Sequence, residues 1–252
     1  MYSLINACFS PTGTTAQVSC AIAKGSGCPV RDVDLSTTVS PAAVGHDEIL
    51  MASVPVFGGR VPAVALERVS ALKGNGQPAV AVAVYGNRAY DDAILELRDA
   101  LEANGFQVVA AGAFVAEHSI ARSIATGRPD AHDLEIAANF GADIMQKLAN
   151  EDLTSIQVPG DPAYREKTGK PSPHPAAGEV CVGCGTCAKS CPVGAIPHDA
   201  PSKTDGSKCI NCMRCVSLCP TKTRSLPDAM LAAVEGMLKQ VASESKQPEL
   251  FL

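Results

Sequence analysis

Pro78-Ala79-Val80-Ala81-Val82-Ala83-Val84-Tyr85 is the most strand-like stretch of the chain. A β-branched valine at every second position favours extended backbone, and the one proline stands at the first position, where a strand tolerates it. Patterns alternate outward from it in both directions. Downstream, Asp91–Ala103 has the spacing of an amphipathic helix and ends at Asn104-Gly105. Phe106–Val115 reads as a further strand and Pro129–Ala149 as a long helix. Upstream, Glu48–Phe57 is a buried-strand run followed by the helical stretch Ala63–Leu72. Val30–Leu35 alternates, Thr14–Lys24 has helical spacing, and Tyr2–Phe9 is an apolar run ending in a turn. Five strands alternating with helices predict an α/β domain over residues 1–150 with a doubly wound, five-stranded parallel sheet.

Composition narrows the classes of function. The chain has 252 residues, 46% hydrophobic and 19% charged, which excludes a disordered or collagen-like protein. A net charge of −5, 4% aromatic residues and no Trp offer neither a basic footprint nor stacking platforms for nucleic acid. No apolar run approaches the roughly 18 residues of a membrane span. Met1–Ser10 lacks a basic leader, so a cytoplasmic location is expected. Residues 1–150 carry 10 Lys+Arg against 15 Asp+Glu, whereas residues 151–252 carry 11 of each.

The boundary between these halves is a connector, residues 151–177. Its prolines, together with Gly160 and Gly169 in Val158–Pro175, exclude a helix or an inner strand. Beyond it lie eight of the eleven cysteines, all between Cys181 and Cys219. They form two copies of C-x₂-C-x₂-C-x₃-C-P: Cys181, Cys184, Cys187, Cys191, then Cys209, Cys212, Cys215, Cys219, each run closed by a proline and offset by 28. Such a repeat implies two pseudo-symmetric halves. Thiols crowded into one short segment read as metal ligands rather than a disulfide framework. A structural zinc site would use two separated C-x₂-C pairs; two complete runs of this spacing instead mark [4Fe–4S] ligation.

Residues 178–225 closely resemble the two-[4Fe–4S] bacterial-type ferredoxin domain. The resemblance implies that the fourth cysteine of each run serves the other cluster: Cys181, Cys184, Cys187 and Cys219 hold one, and Cys209, Cys212, Cys215 and Cys191 the other. Gly183, Gly185 and Thr186 let backbone N–H groups approach the sulfurs. Leu226–Val241 reads as one more helix within a tail, 226–252, of unassigned role.

After the first strand stands Ser10-Pro11-Thr12-Gly13-Thr14-Thr15, a hydroxyl-rich turn at a helix N-terminus with no Lys or Arg before Lys24. This is an anion site without a counter-charge. It lacks both the Walker A Gly-Lys-Ser/Thr and the dinucleotide G-x-G-x-x-G. Ser-x-Thr-Gly-x-Thr resembles the flavodoxin phosphate loop, which implies that Ser10, Thr12, Gly13, Thr14 and Thr15 hold the phosphate of FMN. Two further loops stand where that fold has its flavin loops. Pro55, Val56, Phe57, Gly58 and Gly59 follow the third strand, with Phe57 or the bare Gly58-Gly59 backbone in place of the Trp of many flavodoxins. Tyr85, Gly86, Asn87, Arg88 and Tyr90 follow the fourth, with Tyr90 matching the aromatic that stacks on the flavin ring. His118, at the end of the fifth strand, is a candidate for moving protons near the flavin. Arg122 and Arg128 are candidates for docking the cluster domain, and Cys8, Cys20 and Cys28 read as small buried side chains.

Nearly the whole chain thus resembles fused flavodoxin–ferredoxin proteins, the EFR-type ferredoxins. The resemblance implies an electron carrier or oxidoreductase holding FMN and two [4Fe–4S] clusters and meeting redox partner proteins, with no nucleic acid and no membrane span; a homodimer is left open. Two other readings stay open: an FMN-dependent reductase of a quinone-like substrate, and a redox sensor or adaptor.

Overall fold

In the computed structural model, which describes residues 2–166 and 173–252, the main sheet has six strands. They are β1 (Ser3–Cys8), β2 (Val30–Asp34), β3 (Glu48–Pro55), β4 (Pro78–Tyr85), β5 (Gln107–Val115) and β6 (Glu249–Phe251). Their spatial order is β2-β1-β3-β4-β5-β6. The first five are parallel, in the 2-1-3-4-5 order of flavodoxin-like doubly wound sheets. The helices are α1 (Thr14–Gly25), α2 (Ala63–Val69), α3 (Ala93–Ala103), α4 (Ala131–Ala149), the short turns α5 (Thr186–Lys189) and α6 (Arg214–Ser217), and α7 (Asp228–Val241).

The alternation in β4 sorts two cores. Ala79, Ala81 and Ala83 join Val69, Ile94 and Leu97 under α2 and α3. Val80, Val82 and Val84 join Val18, Ile22 and Phe140 under α1 and α4. All eight residues of β4 are buried, and each such valine contributes on the order of 1.5–3 kcal/mol. Helices α1 and α4 pack backbone to backbone: a Cβ on Gly141 would overlap the Ile22 carbonyl, and one on Gly25 the Ala138 carbonyl. This close seam fixes the direction of α1, whose first residues, Thr14 and Thr15, complete the Ser10–Thr15 turn at the carboxyl end of the sheet.

The five-stranded expectation needs one correction. The tail adds β6 antiparallel to β5, with Glu249 opposite Ala113 and Phe251 opposite Ala111. A three-residue strand carries too little pattern to register in sequence. The preceding helix α7 seats Leu238, and Ala242 just beyond it, on Ala121 and Ile124 of the α/β domain. The buried Asn87 amide then clamps the chain, donating to the Ala242 and Glu244 carbonyls (both 2.8 Å) and accepting from the Lys246 N–H (3.1 Å). The chain therefore leaves the α/β domain once and returns to it, so the cluster segment is held from both sides.

The described part of the connector is also seated. Ile156 is buried and its N–H reaches the Val108 carbonyl. Asp92 accepts from the N–H groups of Asp161 (2.9 Å) and Arg165 (2.8 Å), and Arg60 lies 4.7 Å over the Tyr164 ring. Residues 167–172, including Gly169, Lys170 and Pro171 of the expected extended stretch, lie outside the described residues.

Candidate functional site

The turn after β1 is built to leave donors free. Gly13 has φ +97°, which favours glycine, and α1 begins without a side-chain cap. The Ser10 hydroxyl accepts from the Ala16 N–H at 3.0 Å. Among the described residues, the backbone N–H groups of Thr12, Gly13, Thr14 and Thr15 make no hydrogen bond, nor do the Thr12 and Thr14 hydroxyls. Thr15 is buried at 2% exposure. This donor set at the positive end of a helix fits a phosphate.

The loop after β3 closes as a two-residue turn. Phe57 and Arg60 exchange backbone hydrogen bonds of 2.9 and 3.2 Å across Gly58 (φ +59°) and Gly59 (φ +84°). Arg60 is anchored to Glu96 through Nε at 2.9 Å and Nη2 at 2.6 Å, and the same carboxylate takes the Val61 N–H at 2.9 Å. Pro55, Val56 and Phe57 are half-buried, and Gly58 is exposed.

The loop after β4 departs from expectation. Tyr90 is only 9% exposed; its ring packs edge-on against Tyr85 at 5.4 Å, and its hydroxyl donates to Glu249 at 2.7 Å. It offers no open face for stacking, because the tail lies over it. Asn87 spends its amide on the tail, the Arg88 carbonyl accepts from Lys246 Nζ, and the Arg88 guanidinium pairs with Asp91. His118 packs against Gly86, and its Nδ1 accepts from the N–H groups of Ile120 (3.2 Å) and Ala121 (3.1 Å). The remaining proton of the neutral ring is therefore on Nε2. Burial pulls the His118 pKa below its ordinary value. Arg128, a docking candidate, pairs instead with Asp133 inside the α/β domain and donates to the Lys246 carbonyl at 2.6 Å.

The eight cysteines of the repeat gather in two sets of four. Cys181, Cys184, Cys187 and Cys219 line one cavity, and Cys191, Cys209, Cys212 and Cys215 line a second. Each set draws three thiols from one run and the fourth from the other. Among the described residues, no three His, Cys, Asp or Glu side chains converge on a point suited to a single ion; the thiols surround a space instead. Burial raises the Cys212 pKa to about 12. Burial also pushes Cys219 upward, but hydrogen bonds from the Thr221 hydroxyl and the N–H groups of Thr223, Arg224 and Thr221 bring it down to about 7. The Thr186 hydroxyl and N–H lower the exposed Cys184.

The cluster segment sits on the carboxyl end of the sheet. Arg214, between Cys212 and Cys215, donates to the Ser10 carbonyl at 3.2 Å and the Ser36 hydroxyl at 3.4 Å. Arg68 bridges the Leu35 and Pro192 carbonyls at 2.7 and 2.5 Å, and Ile210 packs onto the α/β core. Between the two parts lies a cavity of about 310 Å³. Thr12 and Thr14 line it on one side, Glu117, Ser119 and Arg122 on another, and Met213, Cys219, Lys222 and Arg224 on the third. The Ser10–Thr15 turn and a thiol of the first set thus share one space. Sequence reading missed Arg214, Lys222 and Arg224, which occupy variable positions of the cysteine runs or follow them and carry no motif of their own.

Residues 180–223 match the 4Fe-4S dicluster domain family. No curated protein matches the chain. Among solved structures, it is similar to a flavodoxin from the domain Archaea (14% identity, 59% of this chain and 99% of that one, TM-score 0.39). It is also similar to the flavodoxin, WrbA-like protein from Agrobacterium tumefaciens (13%, 60% and 99%, 0.40) and to an NAD(P)H:quinone oxidoreductase from Methanothermobacter marburgensis (17%, 58% and 94%, 0.37). With the strand order establishing the first part and the family match the second, the chain is a fusion of a flavodoxin-like α/β domain and a 4Fe-4S dicluster domain.

Proposed function

We propose that the chain relays electrons between an FMN and two [4Fe–4S] clusters. Cys181, Cys184, Cys187 and Cys219 hold the first cluster, and Cys191, Cys209, Cys212 and Cys215 the second. The observation that carries this reading is the cavity that Thr12 and Thr14 share with Cys219. Ser10–Thr15 bind the phosphate through N–H groups and hydroxyls, and the α1 dipole supplies the field. Lys222, on the wall of the same cavity, adds positive charge, whereas Arg122 there is paired with Glu117. Pro55–Gly59 carry the ring contacts; Asn87 and Tyr90 are left out, because the tail occupies them. His118, with Nδ1 accepting two N–H groups, holds its own turn in place rather than moving protons. When bound, the flavin supplies the exchange between two-electron and one-electron chemistry, and the clusters supply one-electron steps. The protein's part is to seat both groups on one rigid frame, where the relay needs no encounter by diffusion. Its donor and acceptor are redox partner proteins.

The test is anaerobic reconstitution with FMN, iron and sulfide, followed by rapid mixing with a one-electron donor. About one FMN and eight irons per chain are expected, with flavin reduction independent of protein concentration. Thr12→Val with Thr14→Val should weaken FMN binding by about a hundredfold or more, at about 1.5–3 kcal/mol for each of two hydrogen bonds to a charged group, and leave the iron content unchanged. FAD in place of FMN, zinc in place of iron and sulfide, or flavin reduced equally fast in cluster-free protein would each sink the proposal.

A further inference from the structure

Arg224 is 2% exposed and begins the short strand Arg224–Ser225, which pairs with Ala176–Ala177. Its guanidinium donates to the carbonyl oxygens of Pro201 at 2.6 Å and Pro175 at 3.2 Å, and to the Thr204 hydroxyl. Nη1 lies 3.6 Å from the Cys187 sulfur, and Nε is buried with no hydrogen-bond partner. Among the described residues no carboxylate pairs with it. An arginine held this deep normally meets a counter-charge, since a lone buried cation is costly. Neutral carbonyls satisfy its N–H groups but not its charge. What surrounds it is the thiols of both sets: Cys187 of the first by contact, in the cavity that Arg224 also lines, and Cys191 and Cys215 of the second, which pack against the small cluster built on Cys187.

We infer that Arg224 is the fixed counter-charge shared by the two cluster sites and that it raises the reduction potential of both. The inference rests on the cluster ligation proposed above. Reduction adds one electron to either cluster from a low-potential one-electron donor; no bond to Arg224 forms or breaks. The added negative charge meets a permanent positive one in a low-dielectric setting, where the attraction is strong. Arg224 is thus a positioning and tuning residue, not a ligand.

The experiment uses the full chain with its clusters, assayed for iron and acid-labile sulfide and then titrated with redox mediators under electron paramagnetic resonance. Arg224→Gln should lower both potentials by about 59 mV, a tenfold shift in each one-electron equilibrium, with the larger drop at the site of Cys187. Arg224→Lys, which keeps the charge, should shift them less than half as far. Thr204→Val, which removes an anchor and keeps the charge, should leave them in place. Loss of iron in Arg224→Gln with full retention in Arg224→Lys also supports the charge. The inference is overturned if loaded Arg224→Gln keeps wild-type potentials, if Thr204→Val shifts them equally, or if all Arg224 variants lose iron alike. An unsubstituted chain without acid-labile sulfide overturns the ligation itself and this inference with it.

Discussion

Asn87→Gly tests whether the tail, rather than the connector, seats the cluster segment. Asn87 has φ +63°, so glycine keeps the backbone while removing the amide. Three hydrogen bonds are lost, to the Ala242 and Glu244 carbonyls and from the Lys246 N–H. At about 1 kcal/mol each, the loss is about 3 kcal/mol. That is a large fraction of the roughly 5–15 kcal/mol stability of a typical domain. The cost falls first on the tail, whose other ties include the short β6 pairing, the packing of Ala242 on Ala121 and Ile124, the Tyr90–Glu249 and Arg128–Lys246 bonds, and the bond from Lys246 Nζ to the Arg88 carbonyl. Hydrogen exchange read by mass spectrometry should show protection of residues 242–251 falling by about a hundredfold, at 1.4 kcal/mol per tenfold, with β1–β5 nearly unchanged. The buried Tyr90 should then become accessible to a tyrosine-modifying reagent. Asn87→Asp should be at least as severe, because a carboxylate cannot donate to two carbonyls. Unchanged exchange in 242–251, or a loss spread evenly over the whole sheet, would refute the reasoning.

The other expectations are independent of the tail. Cys191→Ala should damage the cluster of Cys209, Cys212 and Cys215, and Cys219→Ala that of Cys181, Cys184 and Cys187; spectra showing each variant losing its own run's cluster would contradict the crossed sets of thiols. Gly141→Ala forces a Cβ into the Ile22 carbonyl, so α1 and α4 must separate at about 1–3 kcal/mol or more; thermal unfolding should show a drop in midpoint, and FMN affinity should fall with it because α1 carries the phosphate turn. Burial depresses the His118 pKa in the folded state, so the unfolded chain binds a proton first. Stability from this group is full above the unfolded value of about 6.5 and is lost as pH falls from there through the folded value; denaturant titrations of His118→Gln should show a flatter slope than wild type across that window, and an identical slope would exclude the neutral buried ring. A single cut in residues 167–172 should leave the two parts associated at dilution, since β6 ties the far end of the chain to β5; separation on gel filtration would show that the connector alone holds them.

The order of the five parallel strands with their helices and the two runs of four cysteines were legible in sequence because each is a local pattern. Valines alternating along Pro78–Tyr85 state which side chains face each core before any fold is known. The interval of 28 between cysteine runs places like residues in like positions of two half-sites. A glycine and hydroxyls ahead of α1 announce an anion turn, since donors, dipole and flexible backbone all lie within six residues. Tertiary structure decided what crosses long stretches of chain. Asn87 and Tyr90 match a flavin loop by type and spacing, yet contacts with Lys246 and Glu249, about 159 residues away, consume them. Arg214 meets Ser10 across 204 residues, and Arg224 meets Cys187 across 37. Such pairings leave no periodic trace, because a hydrogen bond or a buried charge needs only one suitable atom at the right place, and any of many residues along the chain could supply it. The folded backbone alone chooses which one does.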